Sequence, residues 1–315
     1  MVVLSQEDRL TGNFRWFIFL LAASLFSGCG RGSNEVILYT SQDQVFVEPL
    51  LKKFQADSGI IVRSVFDNES VKTVSLVNRL HAEKGNPQCD LFWNNESFRS
   101  FQLAQEGLVD PRYPVKTFGF RTRRIVVHDP PPAGFEIPSS FRDLTNKSYF
   151  GKIGFAYPIY GTTGTHFLAL RQQWGTNAWL QWCQALQANK PFIVDGNSAV
   201  VRLVASGEIW LGMTDSDDIA SAREEHVPVK GLPLSVDSLR IPNSIAHIAG
   251  ARHVENAEKL ALFLQLPETI AALQEAHALE KEGQGTTGLS SPPDFQLMLA
   301  DLKTATEQML QLFKK

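Results

Sequence analysis

Hydrophobic positions along this chain fall into short continuous runs that alternate with stretches of helical spacing. Residues 35–39 are an apolar run cut off by polar Thr40, Ser41, Gln42 and Asp43, the pattern of a buried strand ending in a loop. Residues 45–58 place Val47, Leu50, Leu51 and Phe54 at helical spacing, with Gly59 as the stop. A second strand over 60–66, a helix over 71–84 capped by Ser70, and a third strand over 89–93 follow. Strand–helix–strand–helix–strand implies right-handed crossovers and a parallel sheet. Ligands of such sheets bind beyond the carboxyl ends of the strands. The loops there carry Asp43, Asp67 with Glu69, and Asn95 with Glu96.

A strand over 121–128 runs into Pro130, Pro131 and Pro132, which interrupt regular structure and suggest a lobe boundary. The pattern then restarts. A strand over 151–156 leads through a loop at 157–165 into a helix reaching Trp174. A strand over 192–195 leads to Gly196, Asn197, Ser198 and another helix. A strand over 208–212 precedes the acidic segment Asp215, Ser216, Asp217, Asp218. Residues 238–248 are extended and cross back to the first lobe. Helices from Val254 onward complete that lobe, with a Gly/Thr/Ser/Pro loop at 283–293. The divisions are residues 1–28, 29–34, a first lobe over 35–128 and 240–315, and a second over 129–239.

The 315 residues suffice for two lobes, and 43% hydrophobic with 20% charged residues is a globular balance. A net charge of −3 without a basic run gives a nucleic-acid partner no electrostatic footprint. Cys89 and Cys183 have no metal spacing and read as buried small hydrophobes in different lobes.

The N-terminus differs from the rest. Arg9 and Arg15 precede an apolar run over 16–26, short for a membrane span and right for a signal peptide. Ser27-Gly28-Cys29 follows and resembles the lipobox of bacterial lipoproteins, in which the cysteine is acylated and becomes the mature N-terminus. Phe26 departs from the usual aliphatic residue there. Residues 30–34 form a tether.

Seven segments, in order, resemble the periplasmic binding proteins of ferric-iron ABC importers. They are Leu38-Tyr39-Thr40-Ser41-Gln42-Asp43, Leu76-Val77-Asn78-Arg79-Leu80, Cys89-Asp90-Leu91-Phe92-Trp93, Gly161-Thr162-Thr163-Gly164-Thr165-His166, Gly196-Asn197-Ser198, Ala205-Ser206-Gly207-Glu208-Ile209 and Ile241-Pro242-Asn243. The resemblance implies the two-lobed α/β type 2 periplasmic-binding fold: each lobe a mostly parallel sheet flanked by helices, two hinge strands, and closure on a ligand in the cleft. It also implies a monomer working with a membrane permease and an ATPase, held at the membrane only by its lipid. Family members carry adjacent tyrosines that ligate iron where this chain has Asp217 and Asp218, and many place a histidine where it has Asp43. Glu96 corresponds to the family's carboxylate after the third strand.

The expected site therefore holds Asp43, Glu96, Asp215, Asp217 and Asp218, which suit a cation. Asp43, Glu96, Asp217 and Asp218 are the candidate metal ligands, with iron(III) or another metal ion as cargo. An organic cation would satisfy the same cluster, a phosphonate-like solute is the other alternative cargo, a secreted hydrolase is the less favoured third reading, and an ordinary helix cap would also explain residues 215–218. Tyr160, Thr162, Thr163, Asn197 and Ser198 complete the candidate set, either as capping residues or as a cradle for a small anion at helix N-termini. Tyr157 and Tyr160 read as cleft walls, and His166 and Trp93 as packing residues. The chain has no GxSxG, HExxH or P-loop, so no catalytic residues and no cofactor are assigned.

Overall fold

A computed structural model describes residues 34–66, 74–281 and 292–314. Cys29 with the leader, Asp67, Glu69, Ser70 and most of the 283–293 loop lie outside the described residues. In chain order the first lobe opens with strand β1 (Glu35–Thr40), helix α1 (Gln44–Ser58), β2 (Ile61–Phe66), α2 (Val74–Ala82), β3 (Leu91–Asn94) and α3 (Ser97–Gln105). The long strand β4 (Lys116–His128) follows. Then come β5 (Ile153–Ala156), α4 (Gly161–Trp174), α5 (Thr176–Ala188), β6 (Phe192–Val194), α6 (Asn197–Ala205), β7 (Leu211–Asp215), α7 (Ser216–Glu224) and β8 (Val229–Gly231). The chain ends with β9 (Arg240–His247), α8 (Val254–Leu264), α9 (Pro267–Glu275) and α10 (Phe295–Leu312). Among the described residues no helix is long and apolar enough to cross a membrane.

The strands run in the order β2-β1-β3-β9-β4-β7-β5-β6, with β8 beside β4. β1 pairs in parallel with β2 and β3, and β5 pairs in parallel with β6 and β7. The strands that join the lobes are antiparallel to these neighbours. β3, β5 and β7 are buried at every position, as parallel strands covered on both faces must be. The first lobe's sheet is enclosed by one layer around Val36, Leu38 and Trp93 and another around Tyr39, Leu80 and Phe92. The second is enclosed by a large aromatic layer around Phe155, Phe167 and Trp179 and a smaller one around Val200, Val204 and Ile219. Cys89 and Cys183 are free and buried in separate clusters.

Three sequence expectations need correction. The lobe boundary was placed at His128, but β4 changes partner earlier. Lys116 to Thr122 pair with β9, whereas Arg123 to Val127 pair with β7. A strand can serve two sheets without a break, so the prolines mark only its far end. The C-terminal helix α10 was counted with the first lobe. It packs on both: Met298, Met309 and Phe313 join Phe155 and Phe167 in the second lobe's aromatic layer, while Phe295 meets Phe98 and Phe101 of α3 in the first. Finally, the strand read at 208–212 is β7, Leu211–Asp215. Its ladder is set by β5, which pairs Ile153 with Leu211, and Asp215 becomes its last residue.

Close packing in the second lobe depends on glycine in β7. A Cβ at Gly212 would collide with Val200 of α6, and the Gly154 carbonyl oxygen stands only 3.2 Å from that point. Gly212→Ala is expected to lower stability by about 1–3 kcal/mol through overpacking, read from urea unfolding curves.

Candidate functional site

Five strand-to-helix turns meet around one cavity of about 70 Å³ between the lobes. From the first lobe come Asp43, at the start of α1, and Asn95, after β3. From the second come Tyr157 and Tyr160 before α4, Asp195 and Gly196 before α6, and Asp215 between β7 and α7. Thr162, Thr163, Asn197, Asp217 and Asp218, all on the first turns of these helices, complete most of the wall. Among the described residues, the polar loops carrying Asp43, Asn95, Asp195 and Asp215 meet at one place because a parallel sheet sends all its carboxyl ends the same way.

Asp215 is the centre of the arrangement. One of its oxygens takes a 2.6 Å bond from Arg123 Nη1. The other accepts Thr162 Oγ1 at 2.8 Å and Asn197 Nδ2 at 3.1 Å, and Arg121 Nε lies 3.2 Å away. Burial opposes ionisation of Asp215, but Arg123 and Arg121 outweigh it and hold the carboxyl below the usual range. Asp215 and Asp218 also form a capping box at the start of α7. The segment is thus a helix cap that also lines the cavity, and the cap is buried rather than solvated.

Arg121 reaches Asp217 Oδ2 at 3.1 Å through Nη1. Asp218 accepts from Thr214 Oγ1 at 3.0 Å and from the Asp215 backbone N–H at 3.4 Å. Burial, together with the charges of Asp217 and Asp215, pushes the Asp218 carboxyl well above the ordinary carboxylate range. Five aspartates line the cavity against one arginine, Arg121, with Arg123 buried beside Asp215. One oxygen from each of Asp215, Asp217 and Asp218 lies within 4.8 Å of the others, close enough to share a cation.

Two expected site residues fall elsewhere. Glu96 does not line the cavity. Its side chain caps α3, accepting the N–H groups of Phe98 at 2.8 Å and Arg99 at 3.3 Å, and Thr165 Oγ1 at 3.4 Å. Burial raises its pKa to about 6. The acid directly before a helix is drawn to the free N–H groups, and its neighbour Asn95 takes the cavity position. Ser198 lies in an adjoining groove with Val201 and Arg202. Asp43 does line the cavity, although the close oxygen triad includes Asp215 in its place.

Thr162 and Asn197 line the cavity, and their side chains bind Asp215 and one another. Tyr157 and Tyr160 form a wall, with ring centroids 5.7 Å apart. Trp93 is fully buried beside Phe118. His166 is fully buried, and its Nε2 lies 2.8 Å from the Asp237 carbonyl. Burial, then Arg123 nearby, lowers its pKa to about 3, so the ring is neutral and Nε2–H donates to that carbonyl.

Arg121 and Arg123 are the residues that sequence reasoning missed. A signal existed: two arginines two apart on a strand share one face, and this strand has apolar residues on both sides of them. Arginines so placed must be buried against acids.

The model of the family of bacterial extracellular solute-binding proteins matches residues 38–277. An uncharacterized protein of Haemophilus influenzae is 25% identical over 296 residues, 84% of this chain and 79% of that one. Among solved structures, iron-bound HitA from Pseudomonas aeruginosa superposes with a TM-score of 0.75 at 19% identity, over 88% of this chain and 99% of that one. AfuA from Actinobacillus pleuropneumoniae, with fructose-6-phosphate bound, gives 0.73 at 19% identity over 89% and 98%. The two-lobed fold is shared with both solved structures, and the resemblance read from the motifs is borne out.

Asp215 has a role in the architecture that any ligand would not replace. Asp215→Asn should cost about 3–5 kcal/mol in denaturant unfolding of the ligand-free protein, because it strands the buried Arg123 charge. A residue that served only a ligand would show its loss in binding alone.

Proposed function

Because the chain belongs to the bacterial extracellular solute-binding proteins, we propose that it captures a small cationic ligand, iron or another metal ion, and delivers it to an ABC-type permease. The carrying observation is the carboxylate cluster at the cavity. Asp217 and Asp218 present oxygens within 4.8 Å of each other and of Asp215. Asp215 is already neutralised by Arg123, so Asp217 and Asp218 are the ligating pair, with Asp43 facing them from the first lobe. Hard cations take such oxygen donors. A cavity of about 70 Å³ suits an ion with a few waters or a small anion. Pockets for larger organic solutes occupy roughly 300–1,000 Å³. The iron named in the HitA structure agrees with this choice.

Capture follows from the two-lobed arrangement. A ligand that contacts Asp43 on one lobe and Asp217 and Asp218 on the other stabilises the closed form by its differential contacts. The closed, loaded form is what a permease would recognise.

A second reading takes a phosphorylated or phosphonate-like solute. Arg121 faces the cavity, and the N-termini of α4, α6 and α7 open on it, which favours anions. The fructose-6-phosphate named for AfuA belongs to this class.

Calorimetry with ferric, ferrous and manganese ions, with and without bicarbonate, and with a hexose phosphate, separates these readings. A metal ion is expected to bind, and the double variant Asp217→Ala with Asp218→Ala to abolish binding. Hexose phosphate binding without metal binding would replace the first reading with the second.

We place the mature chain at the outer face of a membrane, tethered through an acylated Cys29. Cys29→Ser should move the protein from the membrane to the soluble fraction of fractionated cells. Retention in the membrane would sink the lipid anchor.

A further inference from the structure

We propose that Arg121 is a counter-cation built into the cavity, one that holds Asp217 until a ligand displaces it and so sets how much positive charge the cargo must carry. The inference rests on the cation reading of the site and adds a residue that decides selectivity within it.

The geometry assigns the two arginines different tasks. Arg123 is completely buried and bonds Asp215 at 2.6 Å, with Thr162 and Asn197 completing that carboxylate. Arg123 thus gives Asp215 a full counter-charge of its own, with Arg121 Nε a second, more distant cation at 3.2 Å. Arg121 faces the cavity and its Nη1 sits 3.1 Å from Asp217, one of the two carboxylates left for cargo. Its side chain is only 5% exposed, so water screens the pair poorly. The positive charge that Asp217 meets in the ligand-free chain is thus supplied by the protein.

Location adds to this. Arg121 lies in the part of β4 that pairs with β9, opposite Ile241, directly before the strand passes to the second sheet. Asp217 lies in α7 of the second lobe. Their ion pair spans the hand-over between lobes and helps hold Asp217 facing the cleft. A monovalent cation exchanging with Arg121 would bring no more charge than it displaced. A divalent or trivalent ion brings more, and its repulsion of the guanidinium is offset by Asp43 and Asp218, which also face the cavity. Arg121 therefore penalises weakly charged competitors.

The test is manganese titration calorimetry on the full chain and on Arg121→Gln, Arg121→Met and Arg121→Lys, with folding checked by thermal denaturation. The neutral variants should bind manganese at least about tenfold tighter, the change expected from removing a like charge beside the ion. Arg121→Lys, which keeps the charge, should stay near the parent chain. Adding Asp217→Asn to Arg121→Gln should cancel the gain. Two uncharged replacements of different shape guard against one that fails to fold.

If the parent binds manganese and the folded neutral variants bind it equally or more weakly, Arg121 is no counter-cation, while the cation reading stands. If only the neutral variants bind, Arg121 saturates the site, and the cation reading fails for the natural chain. Absence of binding to parent and variants alike overturns both.

Discussion

A carboxylate withdrawn from water at the end of β7 constrains most of the second lobe. Asp215 is almost fully buried, and such a charge is tolerated only when cations and hydrogen-bond donors surround it. Arg123 supplies the charge from β4, Thr162 a hydroxyl from α4, and Asn197 an amide from α6. One residue thus fixes the relative positions of three helix N-termini and of the strand shared between lobes. Gly212, three places earlier in the same strand, lets α6 approach closely enough for Asn197 to reach.

What remains at the cavity follows from what Asp215 consumes. Thr162 and Asn197, which read in the sequence as either capping residues or anion ligands, are occupied in holding it. Asp217 and Asp218 are carried inward on the first turn of α7, where their mutual repulsion and burial leave Asp218 reluctant to ionise. Carboxylates that raise one another's pKa in this way gain from a cation placed among them.

The shared strand β4 gives this chemistry a mechanical setting. Its first half belongs to one sheet and its second half to the other, and the handover falls between Thr122 and Arg123. Both site arginines flank that point. On the opposite face, Thr122 and Arg124 bond Glu280 from the segment after α9. The strand that joins the lobes is therefore also the strand that carries Arg121 and Arg123 to the acidic cluster.

The sequence alone determined the α/β class, the repeated strand–helix order and the gathering of polar loops at strand ends, because these depend on local periodicity. It also brought Asp43, Asp215, Asp217 and Asp218 to one cavity, since every parallel strand delivers its loop to the same edge. Tertiary structure decided the rest. Glu96 and Asn95 are adjacent in sequence, yet one caps a helix and the other lines the cavity, because backbone N–H groups compete for the acid. The C-terminal helix could have closed either lobe, and its apolar face packs on the second lobe's aromatic layer and on Phe98 and Phe101 of the first. Above all, the acidic cluster read as bare negative charge until two arginines from a distant strand came within ion-pair distance. Periodicity places residues along an element, but it does not say which charges burial will force together.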